Sequence, residues 1–364
     1  MRVGSLTVFL AYVARFFTGS NLAKIWSGAG VDIMTRSLIV LPDDSAHPII
    51  KAIDEAKRSL RVKMFAFSHP ALLNAVIAAR RRGVKVQVML NSERRSGDRD
   101  NEHTRQVLER RHVDVRHANP AFDLTHEKSM VVDDAAAFVQ SCNWVTKNLT
   151  ETRDFAIVTT GKHDVADVVE GFDADWHRQV FSPRHETHLV WCPGGRDRVC
   201  EFIDRAKHRL WIQNERYQDM VVIERLVRAA RRGVKVSVMA RPPHTLKREK
   251  LVEGVGGLRI LDDVGIEVRK IKPYKLHSKM MMADGVAAIV GSINLAPGSF
   301  DSRRELAIQV HDDDVLDRLT SVVHTDWAHS RTLDLSDEGL LADLEDRVED
   351  SGRLLALDGT RDDD

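Results

Sequence analysis

One polar pattern occurs twice in the 364 residues. Each copy is His-x-Lys-x-x-x-x-Asp, with Ser 15 and Asn 17 positions after the His. The first is His126, Lys128, Asp133, Ser141 and Asn143; the second is His277, Lys279, Asp284, Ser292 and Asn294. An acidic residue, Asp154 or Glu305, follows 28 positions after each His. With any residue type at about one position in twenty, four matches behind one His arise by chance about once in 10⁵ trials. Two such matches in register mark a site rather than a coincidence.

The chemistry these side chains suit is displacement at phosphorus. One neutral imidazole attacks while the other, protonated, gives a proton to the leaving oxygen. Two lysines and two asparagine amides stabilise the negative non-bridging oxygens. Asp154 and Glu305 are expected to hold the imidazole tautomers and raise their basicity. The lysines take the electrostatic role, so neither a metal nor a cofactor is expected. Asp133 and Asp284 are expected to support the turns they occupy. Cys142, between Ser141 and Asn143, is expected in the core rather than as a nucleophile.

The elements follow from the spacing. Residues i and i+2 project from one face of a strand, which groups each His with its Lys. Asp284-Gly285 is a favoured two-residue hairpin turn. If it forms the tip, Ser292 faces His277 and Lys279 faces Val290; Asp133-Asp134 would likewise bring Ser141 opposite His126.

The motifs belong to a longer repeat. Arg81-Arg82-Gly83-Val84-Lys85-Val86 recurs as Arg231-Arg232-Gly233-Val234-Lys235-Val236, and Arg153-Asp154-Phe155 is answered by Arg304-Glu305-Leu306. A helix is predicted over Ala71 to Arg82, with Gly83 as its stop, and its copy over Met220 to Arg232. Strands are predicted at 60–67, 84–90, 113–116, 210–215 and 234–240. Alternating strands and helices predict an α/β fold of two similar repeats, packed about a pseudo-twofold axis with the active site between them. The expected divisions are an N-terminal amphipathic extension (1–36), repeat one (37–183), repeat two (184–330) and an acidic tail (331–364). Trp176 and Trp327 are expected as core anchors. The basic loops around Glu93-Arg94-Arg95 and Arg241 to Lys250 could gather phosphate charge. Gly254-Val255-Gly256-Gly257 is expected as a glycine-rich turn, without a full dinucleotide fingerprint.

These residues make the chain resemble the phospholipase D superfamily, over about residues 37 to 330. Its hallmark is the paired His-x-Lys-x4-Asp motif followed by Gly-Ser-x-Asn. The second copy matches fully through Gly291-Ser292-Ile293-Asn294; the first has Asp134 and Gln140 where the pattern has Gly. The resemblance implies a covalent phosphohistidine, resolved by water or by an alcohol. It also implies that the N-terminal histidine, His126, is the nucleophile and His277 the acid. The expected activity is that of a phospholipase D or a cardiolipin-synthase-like phosphatidyltransferase on glycerophospholipids. A metal-independent nuclease acting on nucleic acid, and a non-catalytic lipid- or protein-binding scaffold, are the alternatives.

Composition sets the frame. Three cysteines exclude a disulfide scaffold. Lys plus Arg and Asp plus Glu both number 54, yet the neutrality is a cancellation. Residues 331–364 hold 12 acidic and 4 basic residues, leaving 50 basic against 42 acidic in residues 1–330. The body is basic, as suits phosphate esters or an anionic membrane. Aromatic residues are 6% of the chain, a poor stacking platform for single strands. The apolar run Val3 to Ala14 is shorter than the roughly 20 residues a bilayer span needs. Its periodicity suits either a helix on the protein's own core or one lying on a membrane. A cytoplasmic or peripheral membrane location is expected, with secretion disfavoured.

Overall fold

Strand-period runs of apolar residues build two mixed sheets in the computed structural model, which describes residues 35–92, 101–184, 187–242, 251–272 and 274–340. The first sheet runs β1 (Arg36–Leu41), β8 (Thr152–Thr159), β7 (Ala136–Gln140), β6 (Lys128–Val132), β2 (Ser59–Met64), β3 (Lys85–Leu90), β4 (Asp114–His117). The second runs β17 (Ser330–Thr332), β12 (Glu267–Ile271), β11 (Lys235–Ala240), β10 (Arg209–Asn214), β14 (Lys279–Ala283), β15 (Ala287–Gly291), β16 (Arg303–Val310), β5 (Leu124–Thr125). Off these paths, β9 (Leu189–Cys192) pairs with β16 and β13 (Lys275–Leu276) pairs with β8. Strands β2, β3 and β4 are parallel, as are β10, β11 and β12; the motif hairpins β6–β7 and β14–β15 are antiparallel.

The first repeat carries helices α1 (His47–Glu55), α2 (Pro70–Arg81), α3 (Glu102–Arg110), α4 (Thr146–Thr150) and α5 (Lys162–His177). The second carries α6 (Arg196–Arg205), α7 (Met220–Arg231), α8 (Leu251–Asp263), α9 (Pro297–Asp301) and α10 (Asp313–Ala328). Helix α2 starts at Pro70, where a missing N–H costs nothing, and stops at Gly83, whose φ of 92° is left-handed. Helix α7 is capped by Asp219, whose carboxylate accepts the Val222 N–H at 3.1 Å. Both bury a helical stripe, Leu72, Ala75, Val76 and Ala79 in one and Val222, Ile223, Leu226 and Ala229 in the other.

Among the described residues two cores lie within the repeats, a third joins them, and a small fourth gathers Met89, Ala118, Phe172 and Trp176. In the third, Val131, Val139, Phe155 and Ile157 of the first sheet meet Met280, Met282, Val290, Leu306 and Ile308 of the second. Burying each such side chain is worth about 1.5–3 kcal/mol, so the repeats pack as one unit.

The motif turns form, but the predicted register does not. Asp284 and Gly285 both have positive φ, 53° and 70°, and the Val286 N–H bonds the Ala283 carbonyl at 3.0 Å. That is the expected two-residue turn. However, the ladder pairs Ala283 with Ala287 and Met280 with Val290, leaving Val286 as an extra residue. Ala135 plays the same part in the first hairpin, where Val132 pairs with Ala136. A one-residue bulge flips the faces beyond it, so Ser292 does not oppose His277, nor Ser141 His126, and Lys279 does not pair with Val290.

A second correction concerns Gly254 to Gly257, which lie inside helix α8 rather than in a turn. Gly257 is required there by close approach: a Cβ would stand 2.0 Å from the Tyr217 carbonyl oxygen. The first residues of the expected tail join the second sheet as part of β17, with Leu333 and Leu335 buried behind them. The amphipathic run near the N-terminus, residues 93–95, residues 243–250 and the acidic stretch from 341 lie outside the described residues.

Candidate active site

Each motif histidine is held by the opposite repeat. The chain ahead of the first motif runs as β5 parallel to the start of β16, pairing Leu124 with Arg303 and Thr125 with Arg304. The N–H groups of His126 and Glu127 both donate to the Arg304 carbonyl at 2.9 Å. The chain then returns to its own sheet at Lys128. The second motif repeats the excursion: β13 pairs with β8, and the His277 N–H donates to the Arg153 carbonyl at 3.3 Å. The histidines therefore sit at strand breaks rather than within the hairpin ladders.

The crossing decides which carboxylate meets which imidazole. His126 Nδ1 lies 2.8 Å from Glu305 Oε2, and His277 Nδ1 lies 2.9 Å from Asp154 Oδ1. Both carboxylates are fully buried. Ser141 Oγ donates to Asp154 at 2.5 Å and Thr152 Oγ1 donates to it at 2.6 Å. Ser299 Oγ donates to Glu305 at 2.8 Å, while Ser292 Oγ exchanges hydrogen bonds with the Leu306 backbone. The motif serines thus serve the carboxylate side of the site. Lys128 and Lys279 each donate to the carbonyl of their own motif histidine.

Burial and the two lysines shape the charges. Burial, then Lys128, Lys279 and Arg303, push His126 well below the ordinary histidine range. Burial lowers Lys128 to about 7, and Lys279 adds to the effect. Glu305 is raised, because burial outweighs Lys128 and its serine donors. For Asp154 burial opposes the charged form, but His277, Lys279 and Ser141 outweigh it and hold the carboxyl below the usual range.

A buried ionic frame carries these parts. Arg304 grips Asp175 of α5 with two nitrogens at 2.9 and 2.8 Å, and Arg153 grips Asp326 of α10 at 3.0 Å. The same two arginines supply the carbonyls that hold the histidine backbones. Here the repeats differ: Lys63 Nζ reaches Asp175 at 2.7 Å and Glu127 at 3.0 Å, whereas Gln213 reaches Asp326 at 2.8 Å and Ser278 donates to Gln213 at 3.1 Å. The sequence signal for this frame was the pair of Asp-Trp steps at 175–176 and 326–327, one repeat apart. Trp176 is buried beside Phe172, and Trp327 packs against the joining core near Trp211.

Asn143 and Asn294 are buried, and each side-chain oxygen lacks a hydrogen-bond partner among the described residues. Asp133 and Asp284 point away from the chemistry: Asp133 accepts the backbone N–H groups of Lys57, Arg58 and Ser59, and Asp284 those of Lys207, His208 and Arg209. Asp134, standing where the pattern has Gly, adopts a φ of 53°. Cys142 is buried, and burial pushes its thiol up. Among the described residues no three or more His, Cys, Asp or Glu side chains cluster as a metal site, and no helix is long and apolar enough to cross a membrane. Glu215 is a site residue that the motif spacing did not indicate; it lies 3.3 Å from Lys279 Nζ.

Two α/β repeats exchanging short strands around paired His and Lys side chains define a phospholipase D type of fold and site. The chain belongs to the phospholipase D superfamily, in the family described as "Cardiolipin synthase, PLD-like domain", which matches residues 49–176 and 199–327. Cardiolipin synthase A of Pseudomonas aeruginosa (strain LESB58) is 27% identical over 234 residues, covering 56% of this chain and 46% of that protein. The chain thus spans about half the length of that relative. Cardiolipin synthase B of Salmonella typhimurium is 24% identical over 319 residues, covering 74% of this chain and 75% of that protein. The phosphatidylserine synthase structure of Haemophilus influenzae Rd KW20 shares the fold, with a TM-score of 0.64, 11% identity and coverage of 88% of this chain and 94% of that one.

Proposed function

We propose that this chain is a phosphodiesterase that transfers the phosphatidyl group of a glycerophospholipid to water or an alcohol through a phosphohistidine. The observation that supports this best is the pair of motif histidines, each with its Nδ1 on a buried carboxylate supplied by the other repeat. That arrangement leaves Nε2 of each ring as the reactive nitrogen.

His126, kept neutral by burial and the lysines, attacks phosphorus through Nε2. The bond to the leaving oxygen breaks, and that oxygen takes the proton from His277 Nε2. Lys128, Lys279, Asn143 and Asn294 bear on the non-bridging oxygens as charge builds. In the second step His277 Nε2 accepts the proton of water or an alcohol, whose oxygen attacks phosphorus. The P–N bond breaks, and His126 leaves as neutral imidazole. Ser141, Ser292, Asp133 and Asp284 act as supports, and repeats 37–183 and 184–330 work as one catalytic unit. The basic body draws the site to the anionic surface of a membrane, a peripheral contact.

The test is to incubate the chain with phosphatidylglycerol, phosphatidylcholine and single-stranded DNA, each with chelator present. Lipid turnover, with a phosphoryl adduct on the His126 peptide by mass spectrometry, is expected. Nucleotide release without lipid turnover would replace the lipid by nucleic acid. Undiminished activity in the His126→Ala, His277→Ala double variant would reject the mechanism, and no turnover of any of the three substrates by the wild type would leave a scaffold.

A further inference from the structure

The two halves of the site match in their His, Lys, Ser and Asn residues but differ at a position that faces the histidines. Phe65 follows β2 and Glu215 follows β10, one repeat apart. The Phe65 ring meets His126 edge-on with centroids 4.8 Å apart, and Lys128 Nζ lies 5.1 Å from the centre of the same ring. Glu215 instead presents a carboxylate to the other pair. Its Oε2 lies 4.0 Å from His277 Nε2 and 3.3 Å from Lys279 Nζ. Its Oε1 is held by Arg241 Nη1 at 2.8 Å, and Asn91 is the counterpart of that arginine one repeat earlier. The Glu215 side chain is 9% exposed, so its charge acts through a poorly solvated path.

We propose that Glu215 is the positioning residue that gives two otherwise equivalent histidines different roles, keeping His277 as the proton donor to the leaving oxygen and His126 as the nucleophile. The inference rests on the two-histidine reading above and supplies the asymmetry that reading needs. His277 stands between two carboxylates, Asp154 at Nδ1 and Glu215 near Nε2, the nitrogen that must carry the transferable proton. His126 is hydrogen-bonded to one carboxylate, Glu305, and meets an aromatic edge; the Glu215 charge reaches it too, but burial, Lys128, Lys279 and Arg303 outweigh that charge. The other charges near Glu215 are Lys279, Arg241 and Arg216, and these keep it ionised well below the usual carboxylate range despite its burial. The carboxylates of the His277 side are thus held in the charged form, while burial raises Glu305 on the His126 side.

The step that needs the acid is release of an alkoxide-like leaving group; a phenolate with strong electron withdrawal leaves without it. The test compares single-turnover rates of wild type and Glu215→Gln, at saturating substrate, on phosphatidylglycerol and on bis(p-nitrophenyl) phosphate. Expected is a loss of about tenfold or more on the lipid and less than about threefold on the nitrophenyl ester. Glu215→Asp, which retains the charge, should recover part of the lipid rate, and it carries the comparison if the Gln variant folds poorly. Equal losses on both esters, with no recovery in Glu215→Asp, would assign Glu215 a structural role and overturn the proposal. Its failure is separable from that of the underlying reading: a wild type that cleaves both esters but forms no adduct on His126 overturns the two-histidine mechanism itself.

Discussion

His126 and Glu305 are 179 positions apart, yet Nδ1 of one lies 2.8 Å from Oε2 of the other. The pseudo-equivalent contact joins His277 to Asp154, 123 positions away. Each half therefore supplies a histidine to be oriented and a carboxylate that orients its neighbour's. At the candidate site neither half supplies both a motif histidine and the carboxylate bonded to it, so docking of the repeats assembles each pair.

The crossed carboxylates should matter to rate more than to binding. Asp154→Asn and Glu305→Gln keep shape and hydrogen bonding but change which tautomer is favoured. Each is expected to lower kcat by about 10²- to 10⁴-fold with a small change in KM. Steady-state kinetics on a lipid substrate, with thermal melts to confirm folding, provide the check; unchanged kcat would remove the orienting role.

The pH profile of kcat/KM reports the free protein. Lys128 must be charged to stabilise the transition state, and burial lowers it to about 7. The rate should therefore be full below that pH and fall as pH rises through it. His126 must be neutral to attack, and its lowered value places the acid limb below the ordinary histidine pKa of about 6.5. A profile level up to pH 9 would contradict the role given to Lys128. Lys128→Arg, which stays charged, should move the alkaline limb to higher pH whatever its absolute rate.

The motif aspartates predict the opposite signature, a stability loss with the chemistry retained. Asp133→Ala leaves the N–H groups of Lys57, Arg58 and Ser59 without their carboxylate. Urea unfolding should report a loss of about 2–3 kcal/mol, while kcat of the folded protein changes less than about tenfold. In the wild type the backbone donors hold Asp133 and Asp284 below the usual range against the effect of burial. The stability they add is present above the unfolded carboxyl value of about 3.9, and it is lost as pH falls through the lower folded value.

Asp175→Ala should be more severe, because it strands Lys63 and Arg304 in the interior. A loss of about 3–5 kcal/mol is expected from denaturant titration. Activity should fall along with it, since the Arg304 backbone holds His126. A drop in stability without any loss of rate would show that the arginine's ion pair does not position the histidine.

Much of this protein was legible in residue types and spacing. The paired His, Lys, Asp, Ser and Asn sets, their repetition and the helix boundaries at Gly83 and Gly233 depend on local chemistry, and a chain carries local chemistry in its order. Even the tight turns at Asp133 and Asp284 follow from residues that tolerate positive φ. The register beyond them did not, because Ala135 and Val286 are ordinary residues and nothing in their types announces a bulge.

What the tertiary structure alone decided is who meets whom. The His–carboxylate pairs cross because the short strands β5 and β13 add to the opposite sheet, a choice made by backbone hydrogen bonds that no side chain encodes. The roles of Lys63, Asp175 and Glu215 arise because packing removes their charges from water and forces them to find partners, a requirement that appears only when the two halves close on one another. By itself, the sequence determined the paired polar groups; the fold determined their partners and placed Phe65 beside one histidine and Glu215 beside the other, because hydrogen-bond geometry and desolvation are properties of the assembled interior.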